Sequence, residues 1–207
     1  MHGLISHLTS RLQAPPPHRA YRANSPELCY GRHFGPPAHN ARPAAVIAAF
    51  FPEQDRWIIP LTLRPQEMLD HAGQICLPGG SVEDGETLEE CAVREFEEEL
   101  GFARQRLRVL GQLNPIYIFA SNYFVTPFVA IGDSNAEFVP NPAEVAEIIP
   151  YDIATLLDPQ SRRLRTIRRK SLRFRTPTLS CGERFIWGAT CVILGELAEL
   201  LRQHPPK

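Results

Sequence analysis

The sequence predicts an α/β fold, and three stretches predict it. Ala44 to Phe51 and Trp57 to Leu63 are apolar runs joined by the polar Pro52-Glu53-Gln54-Asp55-Arg56, a strand, a turn and a strand. Leu88, Cys91, Ala92, Phe96 and Leu100 recur at helical spacing. Cys191 to Leu201 is a second amphipathic helix near the C-terminal end. This order permits a layered sheet-and-helix domain but does not say which face each helix covers.

The helix over 88–100 is delimited at both ends. Thr87 with Glu90 three residues on makes a capping box, and Gly101 stands where a left-handed C-terminal cap is needed. Glu95, Glu98 and Glu99 stand at i, i+3 and i+4 and so share one face. Like charges so placed destabilise a helix unless a cation sits among them. Oxygen-only donors favour a hard ion, Mg²⁺ or Mn²⁺, over zinc. A solvated surface helix is the plain alternative for an acidic run. It leaves unexplained the flanking glycines and the single Arg94 among the nine acids from Glu83 to Glu99. Ahead of the helix, Leu77-Pro78-Gly79-Gly80 is a tight turn whose glycines let backbone approach a phosphate or a metal.

The remaining elements follow in chain order. Leu4, Ile5, Leu8 and Leu12 mark a short amphipathic helix that Pro15-Pro16-Pro17 stops. Residues 1–42 thus read as a helix with a proline-rich lead-in, and 43–203 as the main domain. After the acidic helix, Leu107 to Phe119 alternates as one long strand, and Asn122 to Val129 begins another. Between Asp158 and Glu183 there is no acid, while Arg162, Arg163, Arg165, Arg168, Arg169, Lys170, Arg173 and Arg175 crowd together. That tract reads either as a solvated hairpin, with Leu164, Ile167, Leu172 and Phe174 facing inward, or as a cationic rim for a phosphate-rich substrate.

Composition bounds the setting. The 207 residues suffice for one sizeable core, and a net charge of −1 gives no global reason to expect nucleic-acid or membrane binding. Five scattered cysteines without ligand spacing read as buried thiols in a reducing compartment. No apolar run reaches membrane-spanning length and no secretory signal is evident, so a cytoplasmic protein is expected. The acid-free first 26 residues, with Arg11, Arg19 and Arg22, keep a transit peptide open if the source is eukaryotic.

The central stretch resembles the Nudix box, the signature of a family that hydrolyses nucleoside diphosphates linked to another group. Gly80, Glu86, Arg94, Glu95, Phe96, Glu98, Glu99, Gly101 and Phe102 fill every defined position of that pattern. A second stretch is similar to the segment before the box in Nudix enzymes that cleave coenzyme A and its thioesters. Thr62, Arg64, His71, Gly73, Gln74, Pro78, Gly79 and Gly80 fit it, while Pro65, Leu69 and Leu77 depart from it. Leu69 replaces an arginine. Val125-Thr126-Pro127, Tyr151 to Asp158 and Phe185-Ile186-Trp187-Gly188 resemble further segments of that subfamily, with Asn122 in place of a glycine.

The resemblance implies an α/β/α sandwich with a central mixed sheet, the acidic helix on one side and the terminal helix on the other. It implies Glu95, Glu98 and Glu99, with backbone at Gly79, as metal ligands, and Glu98 as the base. Arg94 would orient the carboxylates. Glu144 and Glu147 are noted because some family members take the base from a loop after the box. Arg64, His71, Gln74, Gly80, Tyr123 and Thr126 would contact substrate. The implied substrate is a small nucleotide, coenzyme A or acyl-coenzyme A. ADP-ribose, a dinucleotide or an RNA 5′ end, or a catalytically silent binding role, remain as alternatives. A monomer or homodimer with no membrane partner is expected.

Overall fold

The structure is a computed structural model, and it describes residues 2–13, 23–29, 36–67, 72–134, 136–169 and 171–202. His71 and Leu69 lie outside the described residues. Strand β1 (Arg42–Glu53) turns through Gln54, whose φ is 54°, into β2 (Arg56–Leu63). Strand β7 (Tyr123–Gly132) runs parallel to β1, from Arg42 opposite Tyr123 to Phe50 opposite Ile131. Short β4 (Gly79–Ser81) pairs antiparallel with β1, and β5 (Leu107–Gln112) and β6 (Ile116–Ile118) pair antiparallel with β7. Beyond its hairpin end, β2 pairs with β3 (Ile75–Cys76) and β8 (Glu147–Asp152). The result is one mixed eight-stranded sheet.

Alternation along β1 explains why both faces of the sheet are covered. Ala44, Ala48 and Phe50 enter one core, with Leu4, Leu8 and Leu12 of α1 (His2–Leu12) and the apolar side chains of the C-terminal helix (Gly188–Arg202). Ala45, Ile47, Ala49 and Phe51 enter the other, with Cys91, Ala92, Phe96 and Leu100 of the acid-bearing helix α2 (Leu88–Leu100). Successive side chains of a strand point to opposite faces, so a strand apolar at nearly every position must be buried on both. This is the α/β/α sandwich, with the acidic helix and the terminal helix on opposite sides. Phe51 anchors the second core, stacked with Phe96 at 6.1 Å and edge-on to Phe102 at 5.0 Å.

Two expectations need correction. The stretch 107–119 is not one strand but β5 and β6, interrupted at Leu113-Asn114-Pro115. Proline cannot donate to the ladder. The Asn114 backbone N–H turns instead to Glu196 Oε1 of the terminal helix at 3.1 Å, and its side-chain amide donates to the same oxygen at 2.6 Å.

The basic tract is indeed a hairpin, β9 (Arg162–Arg169) and β10 (Leu172–Cys181), extended by β11 (Arg184–Ile186) into a three-stranded sheet. However, only part of its apolar set faces inward. Phe174 is buried beside Trp187 and pairs with a half-buried Ile167, whereas Leu164 and Leu172 are 53% and 55% exposed. Leu164 lies opposite Pro177, on the ladder face away from Phe174. Among the described residues no helix is long and apolar enough to cross a membrane.

Candidate metal and phosphate site

The site begins with how α2 is held. Thr87 Oγ1 accepts the Glu90 N–H at 3.2 Å and Glu90 Oε2 accepts the Thr87 N–H at 2.9 Å, closing the capping box. At the other end Gly101 takes φ 65° and donates to Glu97 O at 2.8 Å. With Phe96 and Leu100 locked into the core, Glu95 and Glu99 rise one turn apart beside the β4 strand.

The two glycines of the turn do different work. A Cβ on Gly80 would fall 2.3 Å from Glu95 Oε1, so the missing side chain is the space that the carboxylate occupies. A Cβ on Gly79 would fall 2.3 Å from Ala45 O, so this glycine permits β4 to close on β1. Its N–H points at Glu99 Oε1, 3.5 Å away.

A third carboxylate arrives from another part of the chain. The loop between β7 and β8 is stitched to the end of α2 by Val139 N–H to Leu100 O at 2.8 Å and Asn141 N–H to Glu99 O at 3.0 Å. Asn141 O then accepts the Glu144 N–H at 3.1 Å. The ligand atoms of Glu95, Glu99 and Glu144 consequently lie within 4.8 Å of one another. At that separation each ionised pair repels by roughly 3 kcal/mol at an effective dielectric of 20.

Burial raises the Glu99 carboxyl to about 7, and Glu95 and Glu144 add to the shift, while Arg64 and the Gly79 N–H oppose it. Burial also raises Glu95. Glu99 Oε2 is buried with no hydrogen-bond partner. An orphaned buried oxygen amid converging carboxylates fits a hard divalent cation.

Arg94 neutralises the other side of the cluster. Its Nε donates to Glu86 Oε1 at 2.7 Å, and its Nη1 to Glu95 Oε1 at 3.0 Å and Glu98 Oε2 at 2.9 Å. Its Nη2 reaches Ser81 O at 3.2 Å. The arginine holds Glu86 below its ordinary value. Glu98 is half exposed, outside the convergent trio, and faces Arg94.

The remaining sequence candidates fall at several places. Arg64 Nη2 stands 4.0 Å from Glu99 Oε1, and a turn closed by Arg64 N–H to Gln74 O at 3.0 Å sets Gln74 beside it. Tyr123 hydroxyl lies 3.1 Å from Ser81 Oγ, and Arg42 covers its ring at 4.0 Å. Thr126 is buried in the sheet opposite Ala45, which on its other side pairs with Gly80. Glu147 is held in an ion pair with Arg184 at 2.7 Å, whereas Glu144 joins the cluster. The spacing along α2 points to Glu98 as the third ligand. Only the tertiary fold shows Glu144 in the position next to Glu95 and Glu99.

Fold and site together define an α/β/α sandwich whose helix carboxylates meet a glycine turn. The chain matches the NUDIX domain family model over residues 41–172. It belongs to the Nudix hydrolases, enzymes that act on pyrophosphate bonds and generally use divalent cations. It is 33% identical to Nudix hydrolase NudL of Pectobacterium atrosepticum over 172 residues, 82% of this chain and 88% of that protein. NudL of Photorhabdus laumondii is 32% identical over 161 residues, 77% and 85% of the two chains. Among solved structures, the Nudix hydrolase RenU of M. smegmatis superposes with a TM-score of 0.57 at 17% identity, covering 81% of this chain and 89% of that one. A MutT protein of Methanosarcina mazei gives 0.50 at 18% identity, over 82% and 100%. These two likenesses are of fold.

Proposed function

We propose that this Nudix hydrolase cleaves the diphosphate of coenzyme A or acyl-coenzyme A, releasing 3′,5′-ADP and a 4′-phosphopantetheine derivative. The observation that carries the reading is convergence. Three separated segments that resemble the coenzyme A subfamily touch one another in the fold, which supports the reading. Arg64 and Gln74 share a closed turn, Gly80 and Thr126 flank Ala45 across the sheet, and β11 leads into Thr190, which lies against Cys76 next to Arg64. A second reading, hydrolysis of ADP-ribose, a dinucleotide or a capped RNA end, is favoured by Leu69 in place of an arginine. The intact carboxylate cluster argues against a silent binding role.

Glu95, Glu99 and Glu144, with backbone at Gly79, would hold Mg²⁺ or Mn²⁺. When bound, the cation would screen the diphosphate charge and acidify water. Water oxygen attacks phosphorus in line, the bridging P–O bond breaks, and Glu98 accepts the water's proton. Arg94 keeps Glu98 and Glu95 in position without touching substrate. Arg64, beside Glu99, meets the diphosphate as a fixed cation, and Gln74, Gly80, Tyr123 and His71 complete the substrate contacts, while the buried Thr126 supports the sheet beneath them. Five free thiols fit a reducing compartment such as the cytoplasm.

The test is a phosphatase-coupled phosphate-release screen with Mg²⁺ and with Mn²⁺. Coenzyme A, acetyl-coenzyme A, ADP-ribose, NADH, a diadenosine polyphosphate and nucleoside triphosphates are offered side by side. The reading requires coenzyme A or its thioester to give the highest kcat/KM, with 3′,5′-ADP as product. Faster turnover of ADP-ribose or a dinucleotide would overturn the substrate assignment and leave the cluster intact.

A further inference from the structure

The β9–β10 hairpin carries charge that the metal site does not use. In an antiparallel ladder, directly opposed residues share a face. One face presents Arg168 opposite Arg173, Arg175 opposite Thr166 and Leu164 opposite Pro177. All three of these arginines, and Leu164, are exposed. The other face presses Phe174, Thr176 and Thr178 into the domain, while Arg163 and Arg165 reach solvent from the β9 side. Among the described residues Glu27 pairs with Arg175 at 3.9 Å, and no carboxylate pairs with Arg163, Arg165, Arg168 or Arg173. Arg165 lies over the Phe185 ring, 5.0 Å from its centre.

Like charges directly opposite each other weaken a ladder, yet here Arg168 faces Arg173 near the hairpin tip. A phosphate between them converts that repulsion into charge-assisted hydrogen bonds. Arg173 and Arg175 lie two residues apart on one face, a separation of about 7 Å, with Arg168 opposite Arg173 on that same face. A line of cations at such steps suits a line of phosphates better than one small anion.

We infer that the β9–β10 hairpin binds the phosphodiester backbone of a single-stranded polynucleotide. A duplex would meet this face chiefly with its phosphates and leave the exposed Leu164, on the same face as Arg168, Arg173 and Arg175, uncovered. Unpaired bases cover such apolar surface, and a flexible single strand can pass over the ribbon edge to the Arg165–Phe185 stack on its other face. A membrane surface fits less well, because Leu164 and Leu172 stand on opposite faces of the ribbon and cannot enter one bilayer together. The inference is independent of which small nucleotide the metal site cleaves.

Fluorescence anisotropy with a labelled 20-nucleotide oligo(U), in EDTA so that nothing is hydrolysed, tests it on the whole chain. Three phosphate contacts give a slope of log K against log salt of about −2, hence roughly 20-fold weaker binding at 200 mM than at 50 mM KCl. Arg168→Gln/Arg173→Gln should weaken binding about tenfold or more. The same double variant should keep its kcat/KM on a small nucleotide diphosphate. It should also keep or slightly raise Tm, because a like-charge pair is relieved, which a merely structural role would not allow. The inference is overturned if no salt-dependent binding occurs at 50 mM, if the variant binds as the parent does, if a duplex of equal length binds tighter, or if only phosphatidylserine vesicles bind.

Discussion

Replacing Glu99 by glutamine should stabilise the metal-free protein at pH 8, although it removes a residue of the candidate metal site. Burial, with Glu95 and Glu144 adding, raises the folded-state pKa of Glu99 from its ordinary 4.5 to about 7. Between those values the folded chain binds more protons than the unfolded chain, so stability falls as pH rises through the window. Once Glu99 is ionised, the cost to the folded state reaches about 3 kcal/mol. Glutamine keeps the shape and the contact with the Gly79 N–H but never ionises. For a chain of this size, that difference corresponds to a gain in Tm of up to about 10 °C at pH 8 in EDTA.

Near pH 4.5 the carboxyl is largely protonated in the folded chain, and the parent and variant curves should approach each other. Saturating Mg²⁺ or Mn²⁺ at pH 8 should raise the parent's Tm, by the equivalent of about 2.7 kcal/mol at 100 times Kd, and leave the variant nearly unmoved. Calorimetry or dye-based melting across pH 4.5 to 8 reads all of this. A variant no more stable than the parent at pH 8 without metal would refute the electrostatic argument. A metal-induced shift of equal size in both proteins would remove Glu99 from the ligand set.

Four further outcomes follow from the same geometry. Glu98→Gln should lower kcat about 10³-fold while keeping the metal-dependent rise in Tm, whereas Glu144→Gln should lose that rise, and the pair separates base from ligand. Gly80→Ala drives a methyl group into the space of Glu95 Oε1, so metal titrations should show about tenfold weaker binding with little loss of fold. Arg94→Ala leaves Glu86, Glu95 and Glu98 without their shared cation, and urea unfolding should show a loss of about 3 kcal/mol. Leu8→Ala in α1, where Leu8 has no exposed surface, should cost about 3 kcal/mol by the same measurement.

Local chemistry made the centre of this protein readable before any fold was known. The capping box at Thr87, the left-handed Gly101 and the apolar stripe through Phe96 are short-range interactions, and each forms as the residues require. The apolar runs of β1 and β2 likewise specify strands, because burial on both faces leaves the pattern no other use. The positive φ of Asn122, 56°, suits a residue standing where the resembled family has glycine.

What tertiary structure decided are the meetings between distant parts of the chain. Glu144 reaches Glu99 because the Asn141 N–H happens to complete the end of α2, and no spacing along the sequence encodes that bond. Glu98 has the right helical position and yet turns to Arg94, since a half-exposed carboxylate gains more from a nearby guanidinium than from two buried anions. The strand at 107–119 breaks because Asn114 turns to Glu196, a residue of the terminal helix. In the basic tract, cross-strand register settled which leucines stay in water, and register depends on the partner strand. Sequence alone determined the acid-bearing helix, the first two strands and the chemistry they carry. Long-range hydrogen bonds and strand register, whose free energy depends on groups far apart in the chain, decided which carboxylates converge and which side chains of the basic hairpin stay exposed.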